Sequence, residues 1–267
     1  MDLQGKRILL TGAAGGIGRE LSRELAQRGA RLCLVGRTDA SMASLRHLIA
    51  ANSMNCVVVQ ADITDAHARE RMLQRMQAAF NGLDILINLA GLLDFQLFSD
   101  SDPAMIPRML QINLQTPMQL TREVLPVLLG QGSGRIVNVG SMFGSIGYPG
   151  FATYSASKFA LRGFSQALRR ELAGSGVGVT YVSPRAVRTP FNPHAVHAMA
   201  AQGMMHMDEP AWVAEHIANA IEREKDEAYL GFPESFFARL NGLWPGLVDR
   251  SLRKVVPAVA RFARGLT

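Results

Sequence analysis

The sequence has few cysteines and no long uninterrupted hydrophobic run. Its two cysteines, Cys33 and Cys56, lie inside apolar, strand-like segments, so we interpret them as reduced core residues and not as part of a disulfide framework. No window reaches the roughly 18 consecutive apolar residues that a membrane-spanning helix needs. The N-terminus leads into an apolar strand without the hydrophobic region of a signal peptide. These features predict a globular, cytoplasmic protein.

Charged residues make up only 19% of the chain, and the net charge of +6 is unevenly distributed. Residues 234–267 contain six basic and two acidic side chains, so this segment alone carries +4. The sequence has no basic stripe interleaved with stacking aromatics, a pattern typical of proteins that bind single-stranded nucleic acid. We therefore expect no nucleic-acid partner and assign most of the positive charge to the C-terminal segment.

Apolar and amphipathic segments alternate from the N-terminus to about residue 230. Continuous apolar strands separated by helices are typical of a parallel sheet covered on both faces. We predict an α/β fold, a Rossmann-type doubly wound parallel sheet of about seven strands with helices on both faces, plus a C-terminal helical extension. The domain is expected at residues 1–233 and the extension at 234–267. The predicted strands are Arg7–Leu10, Leu32–Val35, Val57–Val59, Ile85–Leu89, Ile136–Val139, Val177–Val182 and a short segment at Ala228–Leu230.

A glycine-rich segment, Thr11–Gly18, directly follows the first predicted strand and opens the first helix. Glycine lets the backbone approach a pyrophosphate, and the N-terminus of a helix supplies N–H groups and the positive end of a dipole. The alternative is an ordinary glycine-rich turn, but the strand–turn–helix context favours a dinucleotide site. We therefore predict that the cofactor contacts Gly12, Gly16, Ile17 and Gly18.

The ends of the second and third strands indicate which dinucleotide binds. An acidic residue after the second strand would bind the ribose 2′-hydroxyl, whereas arginine suits a 2′-phosphate. Gly36 stands where the acid is expected and Arg37 follows it, so NADP(H) is favoured over NAD(H); the alternative is a solvent-facing arginine. Asp62 and Ile63 end the third strand, where they can meet the adenine, although Asp62 can instead be a turn residue before the next helix.

Tyr154 and Lys158 are four residues apart, so a helix places them on one face, one turn apart. A lysine cation beside the phenol favours the phenolate, and we expect it to lower the Tyr154 pKa from its usual value of about 10. Ser141 follows the fifth strand, and Asn113 lies inside an otherwise apolar helix. Each has an ordinary alternative: Ser141 as a turn residue and Asn113 as a residue bonded within its own helix. Beside a nucleotide site, the four together indicate proton transfer.

These motifs resemble those of the short-chain dehydrogenase/reductase family, in its compact single-domain branch. The resemblance covers about residues 5–230 and is carried by Thr11-Gly-x-x-x-Gly-x-Gly18, Asn88-Leu89-Ala90-Gly91, Asn113, Ser141, Tyr154-x-x-x-Lys158, and Pro184 with Thr189. It implies a nicotinamide cofactor, which carries the hydride. The cofactor contacts that it implies include Asn88, Ala90, Gly91, Tyr154, Lys158, Pro184, Val187 and Thr189.

The resemblance also implies a role for each polar residue. Tyr154 would protonate the carbonyl oxygen, or remove the hydroxyl proton in the reverse direction. Lys158 would lower the Tyr154 pKa and hold the nicotinamide ribose, and Ser141 would hydrogen-bond the developing alkoxide. Asn113 would support a water relay to Lys158, and Thr189 would bind the carboxamide.

Two residues depart from the family pattern. Leu89 replaces the second asparagine usual in the Asn-Asn-Ala-Gly motif, a change that the apolar end of a strand should tolerate. Arg185 replaces the glycine usual after Pro184, so we expect a different local backbone and an arginine side chain able to reach cofactor or substrate.

The sequence therefore predicts an NADP(H)-dependent short-chain alcohol dehydrogenase or carbonyl reductase with a hydrophobic substrate. We interpret Phe191–Met207, which contains four methionines, as a lid, with ordinary helical packing as the alternative. No metal is expected, because the histidines of this segment lack a cysteine or carboxylate cluster at ligand spacing. Other apolar residues expected at the mouth are Leu92, Leu93, Phe95, Phe98, Met142, Phe143, Ile146 and Tyr148.

Two other functions fit parts of the same pattern. A catalytically silent regulatory or scaffold protein of this fold is the alternative from another class, and the intact set of four polar residues argues against it. A sugar-nucleotide epimerase is disfavoured by the short chain and by the glycine spacing.

The C-terminal segment, Tyr229–Thr267, alternates apolar and basic residues. It can lie on a membrane interface, where aromatic and arginine side chains favour the headgroup boundary, or pack on its own domain or a partner subunit. Pro245 and Pro257 break any long amphipathic helix, which favours protein packing and leaves peripheral membrane contact as the alternative. The resemblance implies a homodimer or homotetramer built through the helices at Ala104–Leu129 and Tyr154–Leu172.

Overall fold

The computed structural model describes residues 1–266, and in this part of the chain seven parallel strands form the main sheet. In chain order the strands are β1 (Arg7–Leu10), β2 (Arg31–Gly36), β3 (Cys56–Gln60), β4 (Ile85–Asn88), β5 (Gly134–Val139), β6 (Val177–Ser183), β7 (Ala186–Val187), β8 (Met207–Asp208) and β9 (Glu227–Tyr229). The main sheet has the order β3-β2-β1-β4-β5-β6-β9, and β7 pairs separately with β8. The order reverses between β1 and β4, which confirms the predicted doubly wound fold.

Helices cover both faces of this sheet. They are α1 (Gly16–Gln27), α2 (Asp39–Asn52), α3 (Ala66–Phe80), α4 (Met105–Leu110), α5 (Thr116–Gln131), α6 (Ala152–Glu171), α7 (His194–Ala201), α8 (Pro210–Glu222), α9 (Glu234–Leu243), α10 (Pro245–Arg253) and α11 (Val256–Ala263). Ile8 and Leu10 of β1 belong to a core cluster with α1, α2 and α8, whereas Leu9 belongs to a second cluster with α3, α5 and α6. Because successive side chains of a strand point to opposite faces, burial of both faces explains the continuous apolar strands.

The helix expected at Ala104–Leu129 is present, but a π-helical turn interrupts its α-helical geometry. Residues Gln111–Gln115 form a π-helical turn between α4 and α5. Pro117 has no N–H to donate to the carbonyl of Asn113, so the regular helical bond cannot form at this point. Asn113 lies within the π-helical turn, the kind of local distortion that is frequent at functional sites.

The extension consists of three short helices that pack on the domain along one face. Pro245 begins α10 and Pro257 lies in the first turn of α11, so each proline opens a new helix. Val248 packs in a cluster with Met142, and Phe262 packs in a cluster with Phe95. Packing on its own domain, the favoured alternative, is therefore observed for this face. Within residues 1–266, no helix combines the length and hydropathy required to cross a membrane.

Candidate active site

A cleft of about 430 Å³ opens at the carboxyl ends of the central strands. This is where ligands bind in open parallel sheets. Of the residues predicted to form the site, Asn88 and Asn113 do not line the cleft. Those that line it are Gly12, Gly16, Ile17, Gly18, Arg37, Asp62, Ile63, Ala90, Gly91, Ser141, Tyr154, Lys158, Pro184, Val187 and Thr189.

The glycine-rich turn after β1 is shaped by close backbone contact. Gly12 has a φ of +69°, and a Cβ atom at this position would lie 2.8 Å from the backbone nitrogen of Ala90. Glycine is therefore required where this turn approaches the segment after β4. A Cβ at Gly16 would likewise overlap the side chain of Thr189. The space that these glycines leave fits a ligand that lies directly against the backbone.

Helix α1 begins at this turn with its N–H groups free of side-chain caps. Its N-cap residue, Gly15, makes no side-chain hydrogen bond, and the first turn contains no acidic residue. The first N–H groups of a helix have no partner inside the helix, and the dipole makes this end positive. The turn and the helix together fit the pyrophosphate of a dinucleotide.

The ends of β2 and β3 form the opposite end of the cleft. A Cβ atom at Gly36 would lie 2.7 Å from the Ser41 Oγ, so an acidic side chain has no room at this position without local movement. Asp62 accepts hydrogen bonds from the Thr64 backbone N–H (3.0 Å) and hydroxyl (2.7 Å), and these bonds lower its pKa. Asp62 is thus a turn residue that also lines the cleft, and it stays ionised next to Arg37.

Ser141, Tyr154 and Lys158 meet in the cleft, from the end of β5 and the first turns of α6. Tyr154 and Lys158 are both nearly buried, and the Lys158 Nζ lies 5.7 Å from the centre of the Tyr154 ring. The same ammonium donates a 3.1 Å hydrogen bond to the carbonyl oxygen of Val139. The three side chains can therefore act on one small group held in the cleft.

Burial sets the pKa values of this pair. It raises the pKa of Tyr154 to about 12, an effect that the Ser141 side chain partly offsets. It also lowers the pKa of Lys158 to about 8. The expectation that Lys158 lowers the Tyr154 pKa is therefore wrong for this structure, because burial disfavours the charged form of both groups and this effect dominates. At neutral pH the phenol is protonated and able to donate.

Asn113 lies behind this group, fully buried, and holds the segment after β4. Its Oδ1 accepts a 2.7 Å hydrogen bond from the Leu92 N–H, and its Nδ2 donates to the Leu92 carbonyl at 2.8 Å. The Nδ2 also donates to the Ser157 Oγ at 3.0 Å. The alternative that Asn113 bonds within its own helix does not hold for its side chain, which joins this segment to α6 and fixes the wall of the cleft beside Lys158.

Asn88 lies outside the lining of the cleft. Its Nδ2 donates a 2.9 Å hydrogen bond to the Asn138 Oδ1, and the Asn138 Nδ2 donates to the Ser165 Oγ at 2.9 Å. These bonds join β4, β5 and α6 beneath the site, and the Asn88 Oδ1 is buried without a hydrogen-bond partner within residues 1–266. Leu89, at the departure from the family motif, lines the cleft.

Arg185 is among the residues that line the cleft, but its guanidinium is bonded to carboxylates that are not. Its guanidinium pairs with both carboxylate oxygens of Asp208, at 3.1 Å for the Nε, and with Glu234 at 2.9 Å. It also donates to the Phe232 carbonyl at 3.0 Å. Buried arginine requires such partners, which turn the side chain towards the extension. The sequence analysis did not identify Asp208 and Glu234 as partners of Arg185; the signal was an arginine at a position where the family usually has glycine.

The substrate side of the cleft is mostly apolar. Its lining residues there are Leu92, Leu93, Ile112, Met142, Phe143, Phe151, Phe191, Val196 and Met205. Phe95, Phe98, Ile146 and Tyr148, also expected at the mouth, do not line it, and Phe98 faces solvent. Helix α7, in the segment interpreted as a lid, packs against α11 of the extension. Its His197 is bonded through Nε2 to the Thr189 carbonyl oxygen at 3.1 Å.

Comparison with known proteins gives one consistent result. The family model for short chain dehydrogenases matches residues 6–200. The chain is 30% identical to the uncharacterized oxidoreductase YxnA of Bacillus subtilis, over 95% of this chain and 73% of the relative. It is 32% identical to the 3-oxoacyl-(acyl-carrier-protein) reductase FabG of Escherichia coli, over 71% and 76%. A crystal structure of a short chain dehydrogenase/reductase from Burkholderia phymatum in complex with NAD has the same fold, with a TM-score of 0.83 at 22% identity and coverage of 92% and 96%.

Proposed function

The chain belongs to the short chain dehydrogenase family of oxidoreductases, and from this premise we propose that it transfers hydride between NADP(H) and a hydrophobic ketone or alcohol. The observation that carries this proposal is the meeting of Ser141, Tyr154 and Lys158 in a cleft that fits a dinucleotide. A regulatory or scaffold protein would need the cleft but not this group of side chains.

Each of the three side chains has a distinct task. The cofactor supplies or accepts the hydride. Tyr154, protonated at neutral pH, donates its proton to the carbonyl oxygen of the ketone, and Ser141 hydrogen-bonds the same oxygen as its negative charge develops. Lys158, mostly charged at pH 7, stabilises the phenolate left after proton transfer and can hold ribose hydroxyls. In the alcohol-oxidising direction the same steps run in reverse.

The preference for NADP(H) is inferred from the charge and space at the end of β2. Arg37 lines the cleft, and the place of an acidic residue is taken by Gly36, where Ser41 fills the space that a side chain would need. A guanidinium binds a phosphate dianion through charge-assisted hydrogen bonds, whereas a ribose hydroxyl gains little from it.

Arg37→Ala should therefore weaken the use of NADPH selectively. We expect kcat/KM for NADPH to fall about 10- to 100-fold, the effect of losing a charged hydrogen bond, while the value for NADH stays within about twofold. Steady-state kinetics with each coenzyme measure the ratio. Arg46→Ala, an exposed arginine on α2 outside the cleft lining, is the matched control. An equal loss with both coenzymes would contradict the preference.

The apolar lining supports a substrate whose carbonyl adjoins a hydrophobic group. One relative carries the name of a 3-oxoacyl reductase, which also fits a ketone on an apolar chain. Each methylene that enters such a pocket contributes about 0.8 kcal/mol, or about fourfold in kcat/KM.

We also infer assembly into dimers or tetramers through α5 and α6, where Met118, Val127, Leu129 and Phe159 are exposed.

A panel of ketones of graded length, assayed with NADPH and with NADH, tests the function itself. We expect kcat/KM to rise by up to about fourfold per methylene until the pocket is filled, and long-chain, aromatic or steroid ketones to exceed small polar ones. Faster turnover of small polar ketones would refute the hydrophobic substrate class. Tight coenzyme binding without turnover of any substrate would favour the scaffold alternative.

A further inference from the structure

The extension leaves an apolar surface uncovered on the side opposite to its packing face. On α9, Ala238 is buried, while Phe236 and Leu243 are 54% and 72% exposed. At about 100° per residue, Phe236, Leu240 and Leu243 lie on the side of the helix opposite to Ala238. The exposed apolar surface consists of Phe232, Phe236, Phe237, Leu243, Trp244 and Leu247. Six large exposed apolar side chains within residues 232–247 are typical of an interaction surface.

Basic residues flank this apolar surface. Val248 is the buried residue of α10, and Arg250 and Arg253 project from the opposite side of that helix, followed by Lys254. Within residues 1–266 these three cations form no ion pair. Glu234, one of the two acidic residues of the segment, is already bonded to Arg185. The surface therefore presents apolar and positively charged groups together.

We propose that this surface docks on a lipid bilayer that contains anionic headgroups, lying in the interface without crossing it. Aromatic and leucine side chains gain by entering the boundary of the acyl region, and neighbouring arginines and lysines gain from anionic headgroups. A second copy of the chain is a poorer occupant, because a symmetric contact would bring two positively charged surfaces together. The net charge of +4 on residues 234–267 thus complements the negative charge of anionic lipid headgroups.

Helix α9 lies between the docking surface and the substrate side of the cleft. Ala238 of α9 packs in a cluster with Met142, which lines the cleft next to Ser141. The Asn241 Nδ2 donates a 2.8 Å hydrogen bond to the Ser145 carbonyl on the same segment. A docked molecule would hold this wall of the cleft about one helix diameter, roughly 10 Å, from the lipid. The docking itself does not depend on the hydride chemistry.

Vesicle binding of the full-length protein tests the docking. We expect sedimentation with vesicles of phosphatidylcholine and phosphatidylglycerol, little with phosphatidylcholine alone, and release by salt. The double variants Phe236→Ser/Leu243→Ser and Arg250→Glu/Arg253→Glu should each lower the partition coefficient about tenfold or more. The control Arg71→Glu/Arg75→Glu, an equal charge change on the exposed side of α3, should leave it unchanged.

Tryptophan fluorescence supplies a readout that is independent of activity. Trp244 is 63% exposed, and Trp212→Phe leaves it as the sole tryptophan. Its emission should shift to the blue on addition of anionic vesicles. An unshifted spectrum with no sedimentation would overturn the proposal. The proposal would also be overturned if the protein self-associated without binding vesicles and Phe236→Ser/Leu243→Ser abolished that self-association. The surface would then be occupied by a second copy of the chain.

Discussion

Tyr154→Phe should lower kcat by about 10²- to 10⁴-fold while coenzyme binding stays within about twofold, because it removes only the proton that the mechanism transfers. The ring remains in its aromatic surroundings, 6.4 to 6.5 Å from the centres of Phe143, Phe151 and Phe191. Lys158 and the glycine-rich turn, which would hold the cofactor, are unchanged. Single-turnover kinetics and coenzyme titration separate the two effects.

Tyr148→Phe is the matched control for this experiment. Tyr148 stacks on Phe143 at a centroid distance of 5.1 Å, in the same aromatic group, and its hydroxyl has no hydrogen-bond partner within residues 1–266. The Tyr148→Phe variant also loses a phenolic oxygen, but at a residue outside the cleft lining, so its activity should stay within a few-fold of the native value. Turnover by Tyr154→Phe close to that of the native protein would exclude Tyr154 as the proton donor.

Lys158→Met should abolish most activity and at the same time stabilise the fold. A pKa lowered from 10.5 to about 8 corresponds to about 3 kcal/mol of unfavourable burial of the charge. Loss of the hydrogen bond to the Val139 carbonyl costs about 1 kcal/mol of this stabilisation. The free energy of unfolding of Lys158→Met should therefore be about 2 kcal/mol higher than that of the native protein at pH 7. This stabilisation corresponds to an increase in Tm of about 4 to 8 °C.

The pH dependence of this gain gives a second test. Below pH 8 the lysine is charged in both the folded and the unfolded protein, and the penalty is fully present. Between pH 8 and 10.5 the unfolded chain binds more protons than the folded one, so the native protein regains stability as pH rises. The advantage of Lys158→Met should therefore shrink over this range. Lys225→Met, at an exposed lysine, should change neither stability nor activity. A less stable Lys158→Met at pH 7 would contradict the burial argument.

Local patterns were enough to predict the sheet and most of the residues that line the cleft. Continuous apolar runs predict the strands. The glycine-rich turn and the spacing of Tyr154 and Lys158 each lie within one short stretch of sequence, so they can be recognised without knowing the fold. Because the carboxyl ends of parallel strands meet at one edge, residues distant in sequence could be assigned to one cleft.

Features that depend on burial or on distant partners could not be predicted in this way. The pKa of Tyr154 rises because the completed fold removes water, which no local spacing encodes. Asp208 and Glu234 are 23 and 49 residues from Arg185, with no periodicity linking them. The π-helical turn at Asn113 could not be predicted either, because it changes the hydrogen-bond register inside a segment whose pattern is helical throughout.

The cluster around Arg185 has a consequence for how this chain can diverge from its relatives. Gly231 lies so close to the guanidinium that a Cβ atom there would overlap it, and Asp208 is almost fully buried. Glycine at position 185 alone would leave that carboxylate without its arginine partner, and a larger residue at 231 would force the guanidinium to shift. The three positions are therefore energetically coupled, and the effect of a substitution at one of them should depend on the residues at the other two.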